Sequence, residues 1–249
     1  MYVALCSLSL PPPQNLQLCY PHPHLHLAAG QLSGYNYLMG IRNIQFAEGE
    51  YYHIYNRGVD RRNILNDNAD ANRLLQTLIE FNCEETTGGL YELSLAKERP
   101  RGKPLVDLVC YCLNPNHFHL LIREIKEGGI SKFMHRFIGG YSKYFNNRNK
   151  RKGTLFEGRF KAKHVSDNDY LLHASAYINL NDRVHQLRDT LLVRSSWNEY
   201  VDTTGVGACT KNIVLEQFKS RNEYKIFAEG ALTLMLEKRP DYKELLELE

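Results

Sequence analysis

Residues 104–125, PLVDLVCYCLNPNHFHLLIREI, contain two apolar runs of strand length separated by Asn-Pro-Asn at 114–116. Runs rich in leucine, β-branched and aromatic residues and bounded by Asn and Pro are typical of strands joined by a turn. The short separation predicts an antiparallel hairpin. Because strand side chains alternate between faces, His117 and His119 should share one face while Phe118 and Leu120 enter the core.

The flanking segments predict an α+β domain. Residues 51–56 are β-prone, and Asp67 or Asn68 is suited to cap a helix that follows. Further along, the pattern predicts a helix over 130–148 that Gly139-Gly140 weakens, then a basic extended segment over 153–165. Asp167 or Asn168 is suited to cap a helix reaching about residue 187, and 210–247 is helical with a break near Pro240. This order favours an antiparallel sheet with helices packed on one face, plus a helical C-terminal extension.

Composition excludes several classes of protein. The 249 residues are 43% hydrophobic and 24% charged, with a formal net charge of +3, which excludes collagen-like and wholly disordered chains. No apolar run approaches the roughly 18 residues that a membrane span needs. No secretion signal is evident and no C-x-x-C pair occurs, so we expect a cytoplasmic protein without a disulfide framework or a membrane partner.

The N-terminal segment, residues 1–38, differs from the rest of the chain. It has no Asp, Glu, Lys or Arg, and it holds five of the nine prolines. We therefore expect a disordered leader. A second hypothesis is that the start is mis-assigned and the native protein begins at Met39. The expected organisation is this leader, a folded domain over 39–200 and the helical extension over 201–249.

Positive charge is concentrated between residues 130 and 165. Ten basic residues there face a single acid, Glu157, and Lys and Arg in such excess are typical of nucleic-acid contacts. The basic residues are Lys132, Arg136, Lys143, Arg148, Lys150, Arg151, Lys152, Arg159, Lys161 and Lys163. The interleaved aromatic residues follow helical spacing, which favours a core-facing stripe over base stacking. Arg57, Arg61 and Arg62, after the first strand, are further candidates for phosphate contacts.

A second group of chemically capable residues follows the basic segment. Tyr177 and Asn181 are four residues apart, so they share one helical face, with His173 one turn earlier. Packed against the His117/His119 strand, such a helix would complete a metal-assisted phosphoryl-transfer site. Spacing alone equally allows Tyr177 to be an amphipathic packing residue and Asn181 to be part of a helix C-cap.

Four motifs in register give the chain a resemblance to a known family. NHFHLLI, RKGTLFEGRFKAKHV and YLLHASAYINLND, preceded by YYHIYNRGVDRRNILND, resemble the HUH single-tyrosine transposases of bacterial insertion sequences (IS200-like) over about residues 48–200. The resemblance is closest to the REP-associated tyrosine transposases. The family's Tyr-Ile-x-x-Asn-Pro run aligns with residues 177–182, where Asp182 replaces the usual proline.

The resemblance implies both a fold and a mechanism. It implies a ferredoxin-like sheet, Tyr177 as the nucleophile, and His117, His119 and Asn181 as ligands of one Mg²⁺ or Mn²⁺ ion. It further implies cleavage and rejoining of single-stranded DNA bearing hairpin or palindromic repeats, through a 5′-phosphotyrosine. The protein would act as a homodimer or as a monomer. Asp182 beside the third ligand would shift the helix end or add an oxygen ligand.

Two alternatives to the transposase remain. A non-catalytic single-stranded or hairpin nucleic-acid-binding protein, including a degenerate or domesticated copy, would share the same sheet. A metallohydrolase using water would need an additional base and would leave no covalent intermediate.

Overall fold

The computed structural model describes residues 44–85, 102–187, 191–202 and 204–237. The expectations for the leader 1–38 and for the chain beyond residue 237 lie outside these residues. Among the described residues, no helix combines the length and the apolar character needed to cross a membrane.

Five strands form one antiparallel sheet. They are β1 (Tyr51–Arg57), β2 (Val106–Leu113), β3 (His117–Glu124), β4 (Lys161–Val165) and β5 (Arg194–Ser195). The spatial order is β4-β1-β3-β2-β5, with every neighbouring pair antiparallel. The predicted β2–β3 hairpin is confirmed, and the first four strands have the 4-1-3-2 order of a ferredoxin-like βαββαβ unit.

Seven helices accompany the sheet in the described residues. They are α1 (Asn68–Glu80), α2 (Gly129–Arg148), α3 (Asn168–Asn179), α4 (Asn181–Val184), α5 (Trp197–Val201), α6 (Asn212–Leu215) and α7 (Arg221–Glu237). The predicted caps form, because Asp67 accepts a hydrogen bond from the Asp70 amide and Asp167 from the Tyr170 amide. These bonds satisfy N–H groups that the first helical turn would otherwise leave unpaired.

Helices cover both faces of the sheet. On the first face, α1 and α2 pack on one set of strand side chains, among them Tyr52, Phe118 and Ile122. On the second face, α3 and α7 form a separate core with Val109, Cys110 and Leu121. The α+β class and the antiparallel sheet are therefore confirmed, and the expected helical layer is the first of two. The sequence pattern did not show the second, because β2 is buried along nearly its whole length and continuous burial hides alternation.

The aromatic stripe of α2 belongs to the first core. Phe133, Phe137, Tyr141 and Phe145 are buried there, so packing is the correct interpretation of their helical spacing. The helix continues through Gly139-Gly140 instead of weakening. A Cβ at position 140 would lie 2.2 Å from a ring carbon of Phe81, so glycine allows α1's end to approach α2.

Three local differences from the predicted elements affect the site. The helix expected to reach residue 187 ends at Asn179, and α4 resumes at Asn181 after Leu180 leaves helical geometry (φ −111°, ψ 19°). In the extended segment 153–165, only β4 is a strand, because Gly153 and Gly158 adopt positive φ. The predicted domain boundary at residue 200 falls inside α5.

Candidate active site

The polar side chains of the candidate site project from the second face of the sheet, which α3 covers. His119 on β3 lies opposite Tyr55 on β1 and Cys112 on β2, while His117 lies opposite Arg57. Residues directly opposite each other in a ladder point to the same side. The two histidines therefore share the face that α3 covers, as their spacing predicts.

His117 has a defined hydrogen-bonding arrangement. Its Nδ1 lies 2.6 Å from Asn116 Oδ1, which only accepts, so Nδ1 carries the proton. Its Nε2 is then a lone-pair atom, 2.8 Å from Asn114 Nδ2 and 3.0 Å from Asn181 Oδ1. Asn114 also donates to Asn181 Oδ1 at 2.6 Å. The arrangement brings two electron-pair donors, one from β3 and one from α4, within 3.0 Å of each other.

His119 contacts a third histidine. Its Nδ1 lies 2.8 Å from Nε2 of His53 on β1, and the two rings stack with centroids 5.1 Å apart. When His119 Nδ1 donates to His53, its Nε2 is left free as a ligand atom. A buried partner that fixes the orientation and tautomer of a ligating imidazole is typical of metal sites.

Burial keeps these imidazoles neutral. It lowers the pKa of His53 to about 3, with a further contribution from the charge of Lys163. Burial also lowers the pKa of His117, and it lowers that of His119 well below the ordinary value, assisted by the neighbouring histidines. Neutral imidazole is the form that binds a metal ion, so the cluster is in its ligating protonation state at neutral pH.

Tyr177 on α3 lies against this cluster. Its ring is 5.4 Å from the His119 ring, edge to face, and 6.0 Å from the His53 ring. The residue is fully buried. The structure thus brings together all four residues predicted to carry the chemistry: Tyr177, His117, His119 and Asn181.

A further histidine joins the group from the end of α4. Ligand atoms of His117, His119 and His185 all lie within 4.8 Å of one another, and His185 is partly exposed. Its ring centroid is 4.9 Å from that of His117. In contrast, His173 packs on Phe227 of α7, and Asp182 lines a different pocket together with Arg194 and Trp197.

Comparison with known proteins finds a family model that matches the part of the chain containing this site. Residues 102–181 match the family model described as "Transposase IS200 like". The matched stretch runs from just before β2 to Asn181, and so contains the two β3 histidines, Tyr177 and Asn181. This stretch of the chain is therefore similar to the IS200-like transposases.

Two solved structures resemble the chain more weakly. A REP-associated tyrosine transposase bound to a REP hairpin is 15% identical, with 69% of this chain and 97% of that chain covered and a TM-score of 0.44. A putative transposase from Deinococcus radiodurans R1 is 16% identical, with 57% and 91% covered and a TM-score of 0.32. Both TM-scores are below 0.5, and the REP-associated branch stays a prediction. No match was found among the curated proteins.

The basic residues nearest the sheet face that carries the two histidines lie on the edge strand β4. Lys161 and Lys163 on β4 pair with Tyr55 and His53 on β1. Both lysines therefore point to the side of the sheet that carries His119. Lys161 Nζ lies 5.7 Å from the Tyr55 ring centroid. Arg57, in line with His117, is ion-paired with Glu157.

The basic residues of α2 lie on the opposite side of the sheet. Lys132 and Arg136 donate to backbone oxygens of residues 83–85, and Arg148 pairs with Asp67 and Asp70. These three side chains therefore have structural partners within the domain. At the helix end, Arg151 contacts Asn146 and the Thr154 carbonyl. The remaining members of the predicted DNA-binding set are in exposed turns and loops or on the outer side of α2: Arg61, Lys143, Lys150, Lys152 and Arg159.

Sequence reasoning missed two histidines of the site. His53 alternates with Tyr55 along β1 and is brought to His119 only by strand pairing. His185 follows Asn181 by four residues, a helical spacing that would have placed both on one side of a turn. Neither signal identifies a partner without the tertiary structure.

Proposed function

We propose that the chain is a metal-dependent transposase that cleaves and rejoins single-stranded DNA through a 5′-phosphotyrosine at Tyr177. The observation that carries this proposal is the position of the Tyr177 ring, 5.4 Å from the ring of His119, beside His117 and Asn181. A tyrosine of this kind is a nucleophile, and the neighbouring donors are suited to a divalent ion. The family match supports the transposase class.

The donor set fits a divalent ion. His117 Nε2 and Asn181 Oδ1 are both electron-pair donors and lie 3.0 Å apart, an arrangement that a cation between them would stabilise. With His119 they would hold Mg²⁺ or Mn²⁺, and a mixed nitrogen and oxygen site accepts either ion. When bound, the ion would polarise the scissile phosphate and neutralise charge that develops on its oxygens.

The covalent step conserves the phosphodiester. Tyr177 Oη attacks the phosphorus, the Oη–P bond forms and the P–O3′ bond breaks. The phenolic proton is lost and the 3′-oxygen gains one, so the products are a 5′-phosphotyrosine and a free 3′-hydroxyl. Attack of a second 3′-hydroxyl reverses these changes and releases Tyr177. No nucleotide cofactor is needed, because each step exchanges one phosphate ester for another.

The residues proposed to hold DNA begin with Lys161 and Lys163, which share the face of the sheet that carries the histidines. Two cations at alternate positions of one strand match the repeating phosphates of an extended single strand. The exposed basic residues outside α2, Arg61, Lys150, Lys152 and Arg159, would extend this contact to the hairpin or palindrome beside the cleavage site.

One observation favours a non-catalytic nucleic-acid-binding protein instead. Tyr177 is fully buried, so a phosphate reaches its hydroxyl only after the surrounding elements move apart. Under the transposase proposal, bound DNA stabilises that opened state. Under the alternative, the tyrosine serves only to pack α3.

A cleavage assay separates the two functions. The full chain is incubated with single-stranded DNA carrying a hairpin from the repeats that flank its gene, with Mg²⁺ or Mn²⁺, and a covalent adduct is sought on a denaturing gel. We expect an adduct that Tyr177→Phe abolishes and that Tyr170→Phe, on the same helix, retains. Salt-sensitive DNA binding without an adduct, unchanged by His117→Ala, would instead identify the binding protein.

A further inference from the structure

Asn181, the first residue of α4, and His185, which follows its last residue, both direct their side chains towards His117. The His185 amide donates to the Asn181 carbonyl at 3.0 Å, which sets the two residues one helical turn apart. Asn181 Oδ1 lies 3.0 Å from His117 Nε2, and the His185 ring centroid lies 4.9 Å from that of His117. One short helical segment therefore supplies an amide oxygen and an imidazole to the same side of the β3 histidines.

The distances between the ligand atoms of the three histidines suit a single metal ion. The ligand atoms of His117, His119 and His185 lie within 4.8 Å of one another. Two ligands on opposite sides of one ion, with bonds of about 2.2 Å, span about 4.4 Å. A shift of a few tenths of an ångström in a side chain would bring all three imidazoles into reach of one ion.

We propose that His185 is a fourth metal-binding side chain of this chain, which makes the centre a three-imidazole, one-amide site selective for Mn²⁺ or a similar transition ion over Mg²⁺. The proposal rests on the metal-dependent function proposed above and narrows the identity of the ion. Imidazole ligands suit transition ions, whereas Mg²⁺ prefers oxygen ligands and keeps several waters.

The position of His185 also has a functional consequence. It approaches the ion from the side of the site that is open to solvent, whereas His119 and His53 are buried. Of the four proposed ligands, His117 and His119 are held by the sheet. Asn181 and His185 are held by α4, with His185 nearest the solvent. Because α4 directly follows the helix that bears Tyr177, metal binding would tie the position of that helix to the sheet.

Calorimetric titration of the full chain with Mn²⁺ and with Mg²⁺, without DNA, tests the proposal. We expect Mn²⁺ to bind at least about tenfold more tightly than Mg²⁺. His185→Ala should weaken Mn²⁺ binding by about tenfold or more and weaken Mg²⁺ binding less. The ratio of the Mn²⁺ affinity to the Mg²⁺ affinity should therefore decrease. His185→Asn, which keeps a polar side chain at this partly exposed position, should show the same decrease. His135→Ala, an exposed histidine on α2, should change neither affinity.

The variant His117→Ala separates this inference from the proposed function. If His117→Ala loses Mn²⁺ binding while both His185 variants keep the wild-type affinities and ratio, His185 is not a ligand and the metal-dependent function stands. If His117→Ala also binds Mn²⁺ as the wild type does, the metal centre itself is wrong, and the proposed function with it. The visible absorption of bound Co²⁺ gives an independent readout, because losing an imidazole from the ligand set shifts its ligand-field bands.

Discussion

His53 Nε2 and His119 Nδ1 lie 2.8 Å apart across neighbouring strands, in a fully buried contact between two imidazoles. His53 contacts the ring of His119, a proposed metal ligand, on the side away from His117. Its lowered pKa keeps it neutral at physiological pH, so its Nε2 accepts a hydrogen bond from His119 Nδ1. This contact would leave His119 Nε2 directed at the ion.

Replacing His53 should therefore weaken metal binding although His53 touches no metal. His53→Phe keeps a buried ring but removes the acceptor, and we expect Mn²⁺ affinity to fall by about 10- to 100-fold. His53→Gln, which offers an amide oxygen in place of Nε2, should recover part of the loss. Calorimetric titration measures both. Equal, wild-type affinities in the two variants would show that the contact only packs the core.

Tyr224 of α7 contacts the helix that bears Tyr177. Its hydroxyl lies 3.2 Å from Ser175 Oγ and accepts from Asn179 Nδ2 at 2.9 Å, all within a buried network. Tyr224→Phe would leave the Asn179 amide without this acceptor, at a cost of about 1–3 kcal/mol. We expect lower stability and, because α3 loses a fixed contact on either side of Tyr177, slower adduct formation at saturating metal.

Tyr200→Phe is the matched control for Tyr224→Phe. Tyr200 is equally buried, and its hydroxyl donates to the Val109 carbonyl of β2 at 2.9 Å. The control should lose a similar amount of stability in urea-induced unfolding but keep the rate of adduct formation. Equal rates in the two variants would mean that Tyr224 stabilises the domain without positioning Tyr177.

The two sides of the sheet should differ in their contribution to DNA binding. Each lysine that contacts single-stranded DNA contributes about 0.7 to the slope of log K against log salt concentration. Replacing both Lys161 and Lys163 by Ala should therefore reduce the slope by about 1.4 and weaken binding. Replacing Lys132 and Lys143 by Ala, on the far side, should leave the slope unchanged. Fluorescence anisotropy over a salt series measures it, and equal slopes for both double variants would refute the assignment.

The sequence predicts the parts of this fold that local chemistry determines. The Asn-Pro-Asn turn, the Asp67 and Asp167 caps and the alternation around His119 are all readable within a few residues, and each is present. The pairing of His53 with His119 is not readable in this way, because it joins residues 66 positions apart.

The difference between local and long-range information also applies to the basic segment 130–165. Lys161 and Arg136 look alike in the sequence, as cations interleaved with aromatic residues. Lys161 lies on the edge strand β4 and points to the face that carries the histidines. Arg136 lies on α2, which packs against the opposite face. Charge along the chain predicts nucleic-acid binding in general, but only the sheet order determines which cations share a face with the histidines.

Adjacent glycines of α2 should respond oppositely to alanine. At position 140 the added Cβ would lie 2.2 Å from the Phe81 ring, whereas at position 139 it would meet no atom within 4 Å. Gly140→Ala should destabilise the protein by about 1–3 kcal/mol through overpacking. Gly139→Ala should stabilise it by about 0.5–1 kcal/mol through helix propensity. Chemical denaturation measures both, and similar shifts in the two variants would contradict the close approach of Phe81 to Gly140.

The ion pair of Arg148 with Asp67 should make stability depend on pH in the acid range. The hydrogen bond from Arg148, together with the Asp70 amide, lowers the pKa of Asp67 from 3.8 to about 2. Between these values the unfolded chain binds more protons at this position than the folded one, so stability rises with pH there. The contribution is complete above about pH 4 and is lost as the pH falls towards 2.

Asp67→Asn tests this dependence without removing the helix cap, because the Asn side chain also accepts from the first-turn amides. The wild type should lose stability more steeply than Asp67→Asn as the pH falls from 4 to 2, in thermal unfolding followed by circular dichroism. Asp169→Asn, an exposed acid in the first turn of α3, should keep the wild-type slope. If Asp67→Asn also keeps that slope, Arg148 does not hold Asp67 in solution, and its guanidinium becomes available for a phosphate.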